Sequence, residues 1–264
     1  MAVRNPRTGT TPAVIHGNGL VFNASVARWF PWAWDRLFRE ENRQSIRLPD
    51  VTVMTCNNTD TPGAAEKSLE FLGIEHQVLG TDIPAKAWNN RIKCSLFREA
   101  AKRATTPYCM ALDSFDVLVL PAIRNVVATF ETFGADMVFG AEANLMPPIF
   151  ERGVYELELA DTTQTDTPFL NGGCWMTRTP FCVDFLTAII EGSAFVAEST
   201  AVTTEHVKLA PISMRAELAR YYHGSEQAML RAFLPQYPSQ IRLDTGSVLF
   251  QNLFGVEGPL LEDS

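Results

Sequence analysis

The sequence is short of several things, and each shortage narrows what the protein can be. Its 264 residues include five cysteines, Cys56, Cys94, Cys109, Cys174 and Cys182, scattered through mostly apolar segments with no C-x-x-C pair. An odd, unclustered set reads as buried reduced thiols in a cytoplasmic protein rather than as a disulfide framework. No apolar run approaches the roughly 18 to 20 residues of a membrane span. Residues 1–11 are polar, with Pro6 and Gly9, and lack the apolar stretch of a secretory signal. Positive charge is in deficit: the net charge of −8 argues against a general binder of nucleic acid or of anionic membranes. It leaves room for an anionic small substrate, because a bound metal can reverse the local field. A glycine-rich phosphate loop is also missing. The first clear strand is followed by Asn57-Asn58-Thr59-Asp60-Thr61-Pro62-Gly63, with one glycine, which speaks against a nucleotidyltransferase. There is no internal repeat and no low-complexity tract.

What is present is an ordinary globular composition, 46% hydrophobic and 20% charged, in a chain long enough to bury a proper core. Val51–Cys56 predicts a strand, 64–72 a helix ended by Gly73, and 74–79 a second strand. This is a β-α-β unit, the signature of a doubly wound α/β fold. A helix over 91–103 follows, with Ile92, Leu96, Phe97 and Ala100 on one face. A central strand is expected within 108–120, where two apolar runs flank Asp113 and Asp116, and further strands at 136–140, 169–177, 241–244 and 247–250. Helices are expected at 123–133, from Pro180 to about 190, at 216–222, and after Ser225 as N-cap. Residues 191–215 carry little pattern. The reading is one domain over 1–264. Residues 1–46 form an N-terminal segment with a His-Gly-Asn-Gly loop and an aromatic flap, and 51–264 form the core.

The stretch Tyr108-Cys109-Met110-Ala111-Leu112-Asp113-Ser114-Phe115-Asp116-Val117-Leu118-Val119-Leu120 sets Asp113 and Asp116 between two apolar runs. A strand ending in acid residues delivers them to the carboxyl edge of a sheet, where open α/β sheets bind ligands. Two carboxylates there repel, and a divalent cation carrying a phosphate-bearing substrate would neutralise them. The plain alternative is a polar turn with Asp113 as a cap. Near the N-terminus, Val14-Ile15 runs into His16-Gly17-Asn18-Gly19, whose glycines suit close approach of backbone to a ligand.

Several short stretches together resemble one family, the GT-A glycosyltransferase domain of procollagen lysyl hydroxylases. They are Leu112-Asp113-Ser114-Phe115-Asp116-Val117-Leu118, Phe139-Gly140-Ala141-Glu142, Phe169-Leu170-Asn171-Gly172-Gly173, Ser225-Glu226-Gln227, Leu243-Asp244 with Leu249-Phe250-Gln251-Asn252-Leu253, and Val14-Ile15-His16-Gly17-Asn18-Gly19. The order differs. In the family the His-Gly-Asn-Gly loop follows the Phe-Gln-Asn stretch, whereas here it precedes the first core strand. A circular permutation is therefore expected, which requires residues near the two ends of the domain to lie close together. Phe115 stands where the family has Tyr, and the family's acidic run is reduced to His223-Gly224-Ser225-Glu226-Gln227.

The resemblance implies a GT-A-like α/β fold, a Rossmann-type open mixed sheet flanked by helices, and a hexosyltransferase that moves a sugar from a UDP-sugar to a hydroxyl-bearing acceptor, whether glycan, peptide or small molecule. It implies Asp113, Asp116 and His16 as ligands of Mn2+, with Mg2+ as the alternative; an imidazole tilts the choice toward Mn2+. Lys93 would be a second cation at the diphosphate. Thr55, Trp88 and Phe115 would meet the base or ribose. Asn171, Gly172 and Gly173 would line the donor sugar, with Gly17, Asn18 and Gly19 beside the metal. Glu142 and Glu226 would be the carboxylates near sugar and acceptor, one of them a candidate general base. Asp244 and Gln251-Asn252 would brace the sheet edge. The rival class is a non-catalytic sugar-nucleotide or glycan-binding module on the same fold.

Overall fold

The computed structural model describes residues 3–5, 8–17, 30–31, 34–145, 156, 165–198, 225–253 and 262–263. Asn18, Gly19, the expected helix at 216–222, and His223 and Gly224 lie outside the described residues. Two sheets carry the site. The larger has six strands: β3 (Val51–Cys56), β4 (Gln77–Leu79), β5 (Tyr108–Asp113), β7 (Met137–Glu142), β8 (Phe169–Arg178) and β9 (Ile241–Asp244). Its order is β4-β3-β5-β8-β7-β9. β8 runs antiparallel to both neighbours, while β3 is parallel to β4 and to β5, and β7 is parallel to β9. The smaller sheet joins β2 (Val14–His16), β6 (Val117–Val119) and β10 (Phe250–Asn252) in the order β10-β2-β6. A two-stranded ribbon pairs β1 (Val3–Arg4) with β11 (Glu262–Asp263).

The apolar runs form strands because both faces of the large sheet are covered, so alternate side chains serve different layers. Met110 and Leu112 of β5 join one core with Val53, Leu69, Leu72, Val138 and Met176. Cys109 and Ala111 join the other, with Met54, Phe97, Phe139, Trp175 and Phe185. Helix α1 (Ala64–Phe71) covers the first face. Helices α2 (Ile92–Arg103), α4 (Thr179–Glu198) and α5 (Glu226–Phe233) cover the second, through Cys94, Phe97, Cys182, Phe185 and Met229. α1 ends as expected at Gly73, whose φ of +65° is cheap only for glycine. Phe30, Trp34 and Phe38 pack on the first core, and Phe38 meets Phe71 edge-on at 5.3 Å between ring centroids. The described part of the aromatic flap is therefore core packing.

Some expected boundaries shift. The strand expected at 74–79 begins only at Gln77, since Ile74 is drawn under the sheet edge by a hydrogen bond to Leu69 O. The helix expected over 123–133 is a 3-10 turn at Pro121–Asn125 followed by α3 (Val126–Glu131). The helix from Pro180 runs on to Glu198, past the limit near 190. The strand expected at 247–250 is a tight turn instead: Ser247 has φ +51°, and pairing starts at Phe250. The cause is Asp244. Its fully buried carboxylate accepts the backbone N–H groups of Val248, Leu249 and Phe250, and so folds the chain before β10 begins.

Candidate metal centre

Asp113 is the last residue of β5, paired in register with Cys56 of β3, so it stands at the carboxyl edge of the large sheet. Asp116 immediately precedes β6, which belongs to the small sheet. The three-residue step from one to the other carries the chain between sheets. His16 arrives because β2 lies antiparallel to β6 with His16 opposite Val117. The Gly17 amide then donates to Asp116 O at 2.6 Å and locks the two loops together. His16 Nε2 lies 3.3 Å from Asp116 Oδ2 and 3.9 Å from Asp113 Oδ2. One ligand atom from each of the three residues falls within 4.8 Å of the other two. Residues 97 positions apart in the chain thus meet at one point.

Two observations fit a cation at that point. First, His16 Nε2 is buried and makes no well-formed hydrogen bond, while His16 Nδ1 is 2.8 Å from Asn252 Oδ1. Without a cation Nε2 is served only by an imperfect contact to the Asp116 carboxylate at 3.3 Å, and a bound ligand would satisfy it better. Second, Gly173 lies directly against the cluster. A Cβ at that position would sit 2.5 Å from His16 Cε1 and 2.8 Å from Asp113 Oδ2. The donors are two oxygens and one imidazole nitrogen, a set for a hard to borderline divalent ion. Cys56, Cys94 and Cys174 lie close by, but burial pushes each thiol above its ordinary range and keeps it protonated, so no thiolate competes as ligand. All five cysteines are free and buried, as the sequence suggested.

The charges are closely balanced. Burial alone would lower the His16 pKa, yet the adjacent carboxylates of Asp116 and Asp113 raise it to about 9. Without a cation the imidazole is therefore protonated at neutral pH and serves as counter-charge. Lys93, on the first turn of α2, plays the same part on the other side. Its Nζ is 2.6 Å from Asp113 Oδ1 and 2.8 Å from Glu226 Oε1. Burial lowers the Lys93 pKa, but the two carboxylates outweigh it and hold the ammonium charged. Asp113 thus gives Oδ1 to Lys93 and keeps Oδ2 facing His16.

The Asn-Gly-Gly stretch is a break in β8. Its register with β7 slips between Phe139 and Gly140, which face Trp175 and Asn171 respectively. Asn171 is buried, and its Oδ1 accepts the Gly173 amide at 2.9 Å, a local turn that presses Gly173 toward the cluster. Gly172 N donates to Gln227 Oε1 at 2.8 Å, and Gln227 Nε2 donates to Glu142 Oε1 at 2.8 Å. Gln227 therefore ties α5 to β7 and β8 around the site. Ser225 caps α5 as expected, its hydroxyl accepting from Ala228 N.

Three expected ligand contacts are placed differently. Thr55 is fully buried, and its hydroxyl donates to Glu66 Oε1 at 2.9 Å, inside a network with Asn57 and Gly63 that caps α1. It braces the strand end and offers no surface to a ligand. Lys93 is held by two carboxylates rather than projecting alone. Gly17 spends its amide on Asp116. Trp88 packs against Gly80, where a Cβ would come 2.7 Å from its ring, and its Nε1 donates to Asn90. Phe115, between the two aspartates, is 45% exposed, one of two large hydrophobic side chains so exposed among the described residues. Glu142 and Glu226 are both buried beside the site.

Sequence reasoning missed the buried pair of Glu156 and Arg231. Arg231 Nη2 meets Glu156 Oε2 at 2.9 Å, and that oxygen also accepts Leu170 N at the start of β8. No local pattern announces it; the only signal was an arginine on the inner face of α5, four residues after Gln227. Compared with known proteins, the chain matches no family model and no curated sequence. No helix among the described residues is long and apolar enough to cross a membrane.

Proposed function

We propose that the protein is a metal-dependent glycosyltransferase of the GT-A type, which moves a sugar from a UDP-sugar to a hydroxyl acceptor. The observation that carries this reading is the convergence of His16, Asp113 and Asp116 against Gly173. Three stretches that resemble the family only in sequence meet at one point. The described chain ends support the permuted order: Val3 pairs with Asp263 and Arg4 with Glu262, and β10 lies parallel to β2 with Asn252 opposite His16. The five buried free thiols support a reducing, cytoplasmic setting.

In this reading His16, Asp113 and Asp116 would hold Mn2+, which would supply positive charge to offset that developing on the UDP diphosphate. Lys93 takes Asp113 Oδ1 and leaves Oδ2 toward His16. Phe115 offers an exposed ring beside the aspartates for stacking on the base or ribose. Gly173 keeps a side chain out of the space at the cluster, whereas a Cβ at Gly172 would meet Leu230 and Gln227 of α5. Glu142 and Glu226 stand next to that space; Glu226 is held by Lys93 and Glu142 by Gln227. That engagement of both carboxylates favours the second reading, a module that binds a sugar nucleotide without transfer.

The decisive experiment is a panel of UDP-sugars with and without Mn2+, followed by thermal shift and by release of UDP. A transferase shows Mn2+-dependent UDP release that is lost in Asp116→Ala and His16→Ala. Stabilisation by UDP and Mn2+ without turnover of any donor selects the binding module. No shift with any nucleotide and metal sinks both readings.

A further inference from the structure

Asn252, the last residue of β10, is bonded on both ends of its side-chain amide. Its Nδ2 lies 2.6 Å from Ala141 O on β7, and its Oδ1 lies 2.8 Å from His16 Nδ1 on β2. A carbonyl oxygen can only accept, so the amide orientation is fixed: nitrogen toward Ala141, oxygen toward His16. An amide oxygen also only accepts, so His16 Nδ1 must carry a proton. The nitrogen left to bind a cation is then Nε2, the one that faces Asp113 and Asp116.

The surroundings are built for this contact. Gly140 lies against the Asn252 amide; a Cβ there would come within 3.0 Å of Nδ2. The backbone of Asn252 is held by Gln251, whose Nε2 donates to Asn252 O at 2.9 Å, and Gln251 Oε1 accepts from Asn5 Nδ2. Leu253 N donates to His16 O at 2.9 Å, so β10 grips both the backbone and the ring of the histidine. Asn5, Gln251 and Asn252 are all buried.

We propose that Asn252 is a positioning residue for the metal centre, selecting the tautomer and ring orientation that present His16 Nε2 to the cation. This rests on the metal-binding reading of His16, Asp113 and Asp116. A partner of this kind on the far nitrogen of a histidine ligand sets metal affinity by roughly ten- to hundredfold.

The test uses the full chain with Mn2+ alone. Affinity is measured by titration, and pulsed EPR reads the 14N coupling of a coordinated imidazole. The wild type is expected to show that coupling and His16→Ala to lack it. Asn252→Leu should weaken Mn2+ binding roughly ten- to hundredfold with the coupling lost or reduced. Asn252→Asp keeps an acceptor at Nδ1 but sets an oxygen against Ala141 O, so it should recover the coupling only in part. Wild-type affinity and coupling in Asn252→Leu overturn the inference while leaving the metal site standing. Absent coupling in the wild type, or equal binding by His16→Ala, removes the metal reading itself. The wild type alone gives an independent check through 15N shifts of its four histidines with Zn2+. The inference expects a protonated Nδ1 and a metal-bound Nε2 at His16, and the reverse assignment overturns it even if Asn252→Leu does not fold.

Discussion

Lys93 bridges Asp113 and Glu226, with its ammonium 2.6 Å from one carboxylate and 2.8 Å from the other. It joins helices α2 and α5 to the end of β5 at a point where two acidic groups meet. Replacing it by methionine leaves those two carboxylates with no counter-charge between them. Removing one partner of a fully buried pair costs about 3 to 5 kcal/mol. Asp113 keeps 25% side-chain exposure, so water screens part of the loss, and about 2 kcal/mol is expected for Lys93→Met. Denaturant unfolding of the metal-free protein measures it. Adding Glu226→Gln should recover part of the loss, and strict additivity of the two substitutions would contradict a shared network.

Gly173 is required for space rather than for backbone freedom. Its φ is not positive, yet a single methyl would overlap His16 and Asp113. Gly173→Ala should therefore abolish or cut Mn2+ binding more than a hundredfold, a loss of about 3 kcal/mol. The neighbouring Gly172→Ala meets only Leu230 Cδ1 at 3.1 Å and Gln227 at 3.3 Å, and these can yield. It should bind Mn2+ within about tenfold of the wild type, a loss of about 1.4 kcal/mol. Isothermal titration of the two variants side by side decides the matter, and equal effects would refute the cradle.

The His16 imidazolium gives the metal-free protein a defined pH response. Its pKa rises from the ordinary 6.5 to about 9 in the fold. A group with a raised folded pKa stabilises fully below its unfolded value, and that stability is lost as pH climbs through the folded value. The metal-free unfolding free energy should fall between pH 6.5 and 9, by on the order of 3 kcal/mol for a shift of this size, and the melting temperature with it. His16→Asn should flatten that slope. Metal binding runs the opposite way: near pH 7 each ion must displace about one proton from Nε2, so affinity should rise about tenfold per pH unit up to about 9. A Mn2+ affinity independent of pH across this window would place the cation elsewhere.

The strand that ends at Asp113 was legible, because β5 and the acid residues at and just after its end form one continuous local pattern. The β-α-β start, the Gly73 stop and the Ser225 cap were legible for the same reason: each is set by residues within one turn or strand. The arrival of His16 beside Asp113 was legible only through motif order, since no local rule brings β2 against β6. What stayed hidden were side-chain partnerships between distant elements. Thr55 could be read as a ligand contact because nothing nearby in the chain shows that Glu66 and Asn57 enclose its hydroxyl. Lys93 could be read as a phosphate contact because its two carboxylates come from β5 and α5. The strand expected at Ser247 failed because the Asp244 carboxylate captures three successive backbone amides, a turn that apolar alternation does not announce.

Arg231 and Glu156 supply the last test, because both are fully buried and each is the other's ion-pair partner. The pair also anchors the start of β8, where Glu156 accepts Leu170 N at 3.3 Å, two residues before Gln227 takes Gly172 N. β5 has ended by that point, its pairing with β8 stopping at Leu112 opposite Cys174. These two amides therefore rely on side chains in place of a neighbouring strand. Arg231→Leu strands a carboxylate in the interior and should cost about 3 to 5 kcal/mol. Glu156→Leu strands the guanidinium and should cost a similar amount. The double variant Glu156→Leu/Arg231→Leu leaves no buried charge and should be clearly more stable than the sum of the single losses allows. A double-mutant cycle in urea measures the coupling, and a coupling energy near zero would show that the pair does not hold β8 in place.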